Sequence, residues 1–244
     1  MRIGYFTDKG MRRPMNEDAV KVLIDQKLFM LADGVGGNKS GEVASNMALD
    51  ALSNFVLHNP LERLDGRDEV FRYFEAAVSY VNQVILKLSD SKPTYAGMAT
   101  TLVFAYIHDR IMYIANVGDS RVYLLHNNEI HQITEDHTYV NDLVKMGAIS
   151  KEEAENHSKK NVITRAIGAN ACNTPDCFNV YVEPGDKILI CSDGLYDELS
   201  EREILSNMMK EEDMIECAEH LVEIANEAGG NDNISVICIS LEED

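Results

Sequence analysis

The chain has 244 residues, and 41 Asp and Glu against 22 Lys and Arg leave a formal net charge of −19. That length is enough to bury a core within one large domain, and a hydrophobic content of 45% with 7% aromatics is that of a folded globular protein. So acidic a chain has little with which to neutralise a phosphate backbone or an anionic bilayer surface, which argues against nucleic-acid and membrane binding. The excess carboxylate has two uses: a solvated surface, or a few acids gathered around a hard cation.

The first twenty residues carry charge throughout and contain no apolar stretch of signal-peptide length. No window approaches the 18 or so apolar residues of a membrane span. Five cysteines, an odd number in a chain too large to need disulfide staples, read as structural thiols in a reducing cytoplasm. Cys172 and Cys177 have no second Cys/His pair to complete a zinc site. The expected location is therefore cytoplasmic.

No repeat or linker interrupts the chain, so a single domain over 1–244 is expected. Residues 19–24 and 27–32 flank Asp25-Gln26 and predict a two-stranded hairpin. Apolar spacing predicts helices over 42–57 and over 69–88, the second capped by Asp68. Four β-rich runs follow (100–107, 110–117, 121–125, 129–133), separated by short polar turns, and predict an antiparallel meander. Residues 136–160 are polar, with a stop at Met146-Gly147 and a capping box from Ser150 to Glu153. Strands are expected again at 162–167, 179–182 and 187–191. Two more helices begin at the boxes Ser200/Glu203 and Asp213/Glu216, the second ending at Gly229-Gly230 before a last strand, 234–241. Helix pairs segregated among mostly antiparallel strands predict an α+β fold, a four-layer α-β-β-α sandwich of two sheets packed face to face with a helix pair on each outer side.

Several acids stand where apolar strands end. Asp33 follows Leu28-Phe29-Met30-Leu31-Ala32, Asp119 follows a strand and Gly118, and Asp193 follows Cys191-Ser192. Asp232 lies just before the last strand, and Glu17-Asp18 just before the first hairpin strand. Each alone is an ordinary turn residue. Together, at strand ends that open into a shared cleft, they would repel one another unless a cation intervened, and oxygen ligands suit Mg²⁺ or Mn²⁺. The seven histidines are scattered beside polar turns and form no zinc motif.

The ordered blocks Thr7-Asp8-Lys9-Gly10-Met11-Arg12-Arg13-Pro14-Met15-Asn16-Glu17-Asp18, Ala32-Asp33-Gly34-Val35-Gly36-Gly37, Gly41-Glu42, Thr100-Thr101-Leu102, Asn116-Val117-Gly118-Asp119-Ser120-Arg121, Thr164-Arg165-Ala166-Ile167-Gly168, Ser192-Asp193-Gly194-Leu195-Tyr196-Asp197 and Gly230-Asn231-Asp232-Asn233 span residues 7–233. In that order and spacing, the chain resembles the metal-dependent (type 2C, PPM) serine/threonine protein phosphatases, the compact bacterial members most closely.

The resemblance implies hydrolysis of phosphoserine and phosphothreonine by a hydroxide bridging two Mn²⁺ or Mg²⁺ ions, without a phosphoenzyme. It places Asp33 between two core ions, Glu17 and the Gly34 carbonyl at the second, and Asp193 and Asp232 at the first. A third, weaker ion found in many bacterial members would take Asp119 and Asp197, with Asp193 shared. Arg13 matches the arginine that grips the substrate phosphate, and Asp18 an acid that hydrogen-bonds metal-bound water. Residues 136–160 match the variable flap, and Arg121 is expected to brace the turn around Asp119. No cysteine is followed by arginine at phosphatase-loop spacing. Two positions depart from the family: Val35 and Asn38 stand where many members have histidine, which leaves protonation of the leaving group unassigned. Implied partners are phosphorylated proteins, a serine/threonine kinase among them, acted on by a monomer. The competing reading is a pseudophosphatase that binds without turnover; that class is marked by missing metal carboxylates, and Glu17, Asp33, Asp193 and Asp232 are all in place.

Overall fold

The computed structural model describes residues 1–35, 40–64, 66–169 and 174–242. Gly36, Gly37, Asn38 and Cys172 of the sequence reading lie outside the described residues. In chain order the elements are β1 (Arg2–Asp8), β2 (Asp18–Leu23), β3 (Leu28–Val35), α1 (Ser40–His58), α2 (Arg67–Ser91), β4 (Ala99–Thr100), β5 (Leu102–His108), β6 (Ile111–Val117), β7 (Arg121–His126), β8 (Glu129–Gln132), α3 (Tyr139–Lys145), α4 (Lys151–Glu155), β9 (Asp176–Tyr181), β10 (Lys187–Cys191), α5 (Asp193–Tyr196), α6 (Glu201–Lys210), α7 (Met214–Ala228) and β11 (Ile234–Ser240). They form a five-stranded sheet in the order β1-β11-β10-β7-β8 and a six-stranded sheet in the order β2-β3-β5-β6-β9, with β4 on β3.

Strand alternation explains the layers. Along β3, Leu28, Met30 and Ala32 face α1 and α2, while Phe29 and Leu31 face the other sheet. Along β10, Ile188 and Ile190 point to the same inter-sheet layer, and Leu189 and Cys191 point to α6 and α7. A central strand buried on both faces reads as an unbroken apolar run, because each face has its own core. The result is the expected four-layer sandwich with three apolar layers.

Local details depart from the sequence reading. The helix over 67–91 is capped by Gly66, and Asp68 sits in its first turn without a capping bond. Asp213 caps α7 through the Ile215 and Glu216 amides, but its own amide donates to Glu211 Oε1, so the box is not closed. The meander is divided: β5–β6 belong to one sheet and β7–β8 to the other, so Gly118-Asp119-Ser120 is a crossing between sheets. Residues 162–167 are not a strand. They hold two isolated bridges, Thr138↔Ile163 and Thr100↔Ile167, because the backbone between them turns to bind His137 instead. Strand β1 was not anticipated: it is an edge strand whose Tyr5, Phe6 and Thr7 are all exposed, without the alternation that marks a half-buried strand.

One residue of β1 is tightly constrained. A Cβ at Gly4 would overlap the Met214 carbonyl where α7 begins. We expect Gly4→Ala to cost about 3 kcal/mol by overpacking against a backbone that cannot yield, a fall in Tm of about 6–12 °C in a thermal melt.

Candidate active site

Strands from both sheets bring the acids to one cleft. Asp18 opens β2 directly opposite Asp33 on β3. Asp193 follows β10 at the start of α5, Asp232 precedes β11, and Asp119 lies on the crossing from β6 to β7.

Backbone hydrogen bonds fix each carrier. The Asp33 amide donates to Thr101 Oγ1 at 2.8 Å, and its carbonyl accepts from the Thr101 amide at 2.8 Å and from Thr100 Oγ1 at 2.9 Å. The Gly34 amide donates to the Glu17 carbonyl at 3.1 Å, and a Cβ on Gly34 would overlap the Gly41 carbonyl. A side chain on Gly41 would in turn meet the Glu17 carboxylate, so two glycines let β3, α1 and the Glu17 loop close on one another. Asn233 binds that loop from the other sheet: its Oδ1 accepts from the Glu17 amide, and its Nδ2 donates to the Lys9 and Met15 carbonyls, each at 2.8 Å.

The electrostatics are those of crowded, dry carboxylates. Burial, then the fields of Asp18, Asp193, Asp119 and Asp232, hold Asp33 well above the usual carboxylate range. Burial followed by Asp119, Asp232 and Asp18 does the same to Asp193. Burial pushes Asp18 up to about 6 against hydrogen bonds from Ser235 and Ser192, and Ser192 Oγ donates to its Oδ2 at 2.8 Å. Asp119 rises to about 7, by burial and then by Asp136. Glu17 is raised by burial, opposed by Arg13 and the Gly41 amide. Arg13 donates to Asp232 Oδ2 at 2.6 Å; burial works against its charge, but Asp232, Asp193 and Asp33 together leave its pKa raised.

Two carboxylate oxygens, Oδ1 of Asp18 and Oδ1 of Asp193, are buried without a hydrogen-bond partner among the described residues. Buried acceptors of this kind want a cation or a donor. Among the described residues no three carboxylate, imidazole or thiol groups already stand at ligating separation. Asp232 is engaged by Arg13, and Asp197 pairs with Lys160 of the 136–160 stretch at 3.1 Å. The donor set, all oxygen and in charge excess, fits a hard divalent ion and offers no nitrogen or sulfur site.

The supporting residues were mostly not singled out from the sequence. Arg121 donates to Asp136 at 2.6 Å and lies 3.5 Å over the ring of Tyr196, whose hydroxyl donates to the Asp119 carbonyl at 3.0 Å. His137 is buried. Its Nδ1 accepts from the Gly118 amide and its Nε2 meets Asp176, each at 3.0 Å, which sets the Nε2–H tautomer. Burial lowers its pKa. Arg165 donates to Asp176 at 2.7 Å, so it shares with His137 the carboxylate that opens β9. A histidine beside acidic and threonine residues carries no sequence signal that separates a buried hub from a surface turn. Val35, at the end of β3, is 44% exposed and offers no proton.

A crossing loop and paired strand ends that focus carboxylates at the edge of an α-β-β-α sandwich define a candidate metal-dependent hydrolase. Residues 12–235 match the family model described as protein phosphatase 2C. The protein phosphatase PhpP of Streptococcus pneumoniae is 38% identical over 248 residues, covering 100% of this chain and 99% of that protein. The crystal structure of the Mycobacterium tuberculosis serine/threonine phosphatase PstP/Ppp superposes with a TM-score of 0.90 at 35% identity, covering 99% of each chain. A structure of the PstP catalytic domain with 2 manganese ions gives a TM-score of 0.86 at 33% identity, covering 99% of this chain and 98% of that one. The chain belongs to the protein phosphatase 2C family.

Proposed function

We propose that this serine/threonine protein phosphatase of the 2C type hydrolyses phosphoserine and phosphothreonine in proteins with Mn²⁺ or Mg²⁺ held by the cleft carboxylates. The observation that carries the reading is the convergence of Asp18, Asp33, Asp119, Asp193 and Asp232 on one cleft, the first four of them raised by burial and by neighbouring carboxylates, with one oxygen each of Asp18 and Asp193 unpartnered among the described residues. Asp33, Asp193, Asp232, Glu17 and the Gly34 carbonyl are the proposed ligands of two core ions. Asp119 and Asp197, with Asp193, are those of a third. When bound, such ions supply Lewis acidity toward water and toward the phosphoryl oxygens.

The chain's own residues do the rest. Arg13, released from Asp232, presents a planar fork that meets two oxygens of the substrate phosphate. Asp18, held by Ser192 on one oxygen, keeps the other free to orient water. Val35 leaves the leaving oxygen without a side-chain acid, so phenolic leaving groups are favoured over the serine or threonine alkoxide. The physiological partners proposed are phosphoproteins, including a serine/threonine kinase, acted on by a monomeric single domain over 1–244 in the cytoplasm. Among the described residues no helix is long and apolar enough to cross a membrane.

Hydrolysis of a phosphothreonine peptide and of para-nitrophenyl phosphate, each with Mn²⁺ and with EDTA, tests the reading. Turnover of both that vanishes in EDTA is expected, and binding of Mn²⁺ without turnover would favour the pseudophosphatase. Arg13→Ala should lower kcat/KM for the peptide about 10²-fold while Mn²⁺ affinity is unchanged or tighter, since Asp232 loses a competing cation. A weakened Mn²⁺ affinity in that variant would assign Arg13 to the scaffold instead.

A further inference from the structure

A groove of 660 Å³ runs between α7 and β1, away from the carboxylate cleft but joined to it by the segment that carries Arg13. Its apolar wall is Phe6, Met11 and Val222, and its rim is Glu219, Glu223 and Glu227. The i, i+4, i+8 spacing sets the three carboxylates along one face of the helix. All three are exposed, and among the described residues the only ion-pair contact on this rim is His220 to Glu223 at 3.6 Å. The wall is open to solvent: Met11 is 67% and Phe6 38% exposed.

Beneath the groove, β1 is the terminal strand of its sheet and, among the described residues, pairs only with β11. Its other edge leaves strand amides and carbonyls of the kind that accept an added extended segment. Phe6 lies on the same face as Gly4, the face covered by α7, so a strand laid along β1 would send alternate side chains into the groove. Met11 is anchored by its amide to the Gly230 carbonyl at 2.8 Å, two residues before Arg13.

We propose that this groove docks an extended segment of the phosphoprotein substrate in which a large apolar residue is flanked by lysine or arginine. The proposal rests on the phosphatase reading above and names a substrate feature for it. The apolar side chain covers Phe6 and Met11, and the flanking cations meet Glu219, Glu223 and Glu227. Met11 and Arg13 are two residues apart, a span of at most about 7 Å, so a phosphothreonine a few residues from the side chain docked on Met11 reaches Arg13. The acidic rim and the net charge of −19 both select a basic segment and reject an acidic one.

The test uses a fluorescent, unphosphorylated peptide of Lys-Leu-Lys type in EDTA, read by anisotropy against the full chain, and its phosphothreonine extension, read by hydrolysis with Mn²⁺. Wild type is expected to bind the peptide. The triple variant E219K/E223K/E227K should bind at least tenfold more weakly, and Met11→Ser about threefold more weakly. In hydrolysis, the docking segment should raise kcat/KM about tenfold over a truncated phosphopeptide, mainly through KM, and the triple variant should lose that gain while turning over para-nitrophenyl phosphate at the wild-type rate. Equal binding by wild type and the triple variant, no binding by wild type, or an undiminished gain in the variant would overturn the groove while leaving the phosphatase reading intact. Binding that depends on the three glutamates without any Mn²⁺-dependent hydrolysis would instead overturn the phosphatase reading.

Discussion

Asp193→Asn is expected to abolish high-affinity Mn²⁺ binding and to lower kcat/KM for a phosphothreonine peptide by about 10³-fold or more. Asp193 is the proposed ligand common to the first core site and the third, and its Oδ1 is one of two carboxylate oxygens buried without a partner among the described residues. Lewis-acid stabilisation by a bound ion is worth several kcal/mol, and about 4 kcal/mol corresponds to 10³ in rate. The amide keeps the size of the side chain and removes its charge, and it relieves repulsion from Asp119, Asp232 and Asp18. The metal-free variant should therefore melt higher than the metal-free wild type, a result that mere damage to the fold cannot produce. Calorimetric titration with Mn²⁺, steady-state kinetics and a melt in EDTA read the three effects. Wild-type turnover in the variant would remove Asp193 from the ligand set.

Metal removal should reverse the pH dependence of stability. In the folded, metal-free protein, burial first and neighbouring carboxylates second raise Asp18 to about 6 and Asp119 to about 7, with Asp33 and Asp193 also raised. In the unfolded chain these groups ionise near 4. Between pH 4 and 7 the folded state holds protons that the unfolded state has released, so stability falls as pH rises through that window. His137, whose pKa burial lowers, and Asp176, held low through His137 and Arg165 despite its burial, work in the opposite direction. The four raised acids outnumber them. The EDTA-treated protein is expected to be about 2 kcal/mol more stable at pH 5.5 than at pH 7.5, or about 4–8 °C in Tm. Mn²⁺ binds the ionised form, so two sites filled at about 100 times Kd add about 5 kcal/mol at pH 7.5, or about 10–20 °C. The gain shrinks at pH 5.5, where protons compete. A Tm indifferent to Mn²⁺ at both pH values would contradict a metal cleft.

Much of the layer plan is legible in the residues. Continuous apolar runs such as 188–191 announce strands buried on both faces, and the spacing of Val70, Phe74, Val78, Val81 and Ile85 announces a helix buried on one. The strand-end acids are legible too, because an acid after an apolar run and beside a glycine is rare enough to count when repeated. The crossing at Gly118-Asp119-Ser120 is not legible: a short polar break looks the same whether the chain doubles back in one sheet or steps to another. Nor is the scaffold under the site. Thr101, Ser192, Asn233, His137 and Tyr196 act through hydrogen bonds to backbone or carboxylate groups far along the chain, and no local periodicity marks that role. The pairing of Lys160 with Asp197 depends on where the 136–160 stretch lies over the cleft, a tertiary fact with no periodic signature.

The division of the acids between two sheets carries a consequence for synthesis. Asp33 comes from the sheet completed by β9, whereas Asp193 and Asp232 flank strands of the other sheet, in which β11, lying between β1 and β10, is translated after every other strand described. While β11 is still within the ribosome, the emerging polypeptide can assemble its first helical face but holds only half a cage for an ion. On the proposed ligand set, metal loading waits until that strand has inserted between β1 and β10.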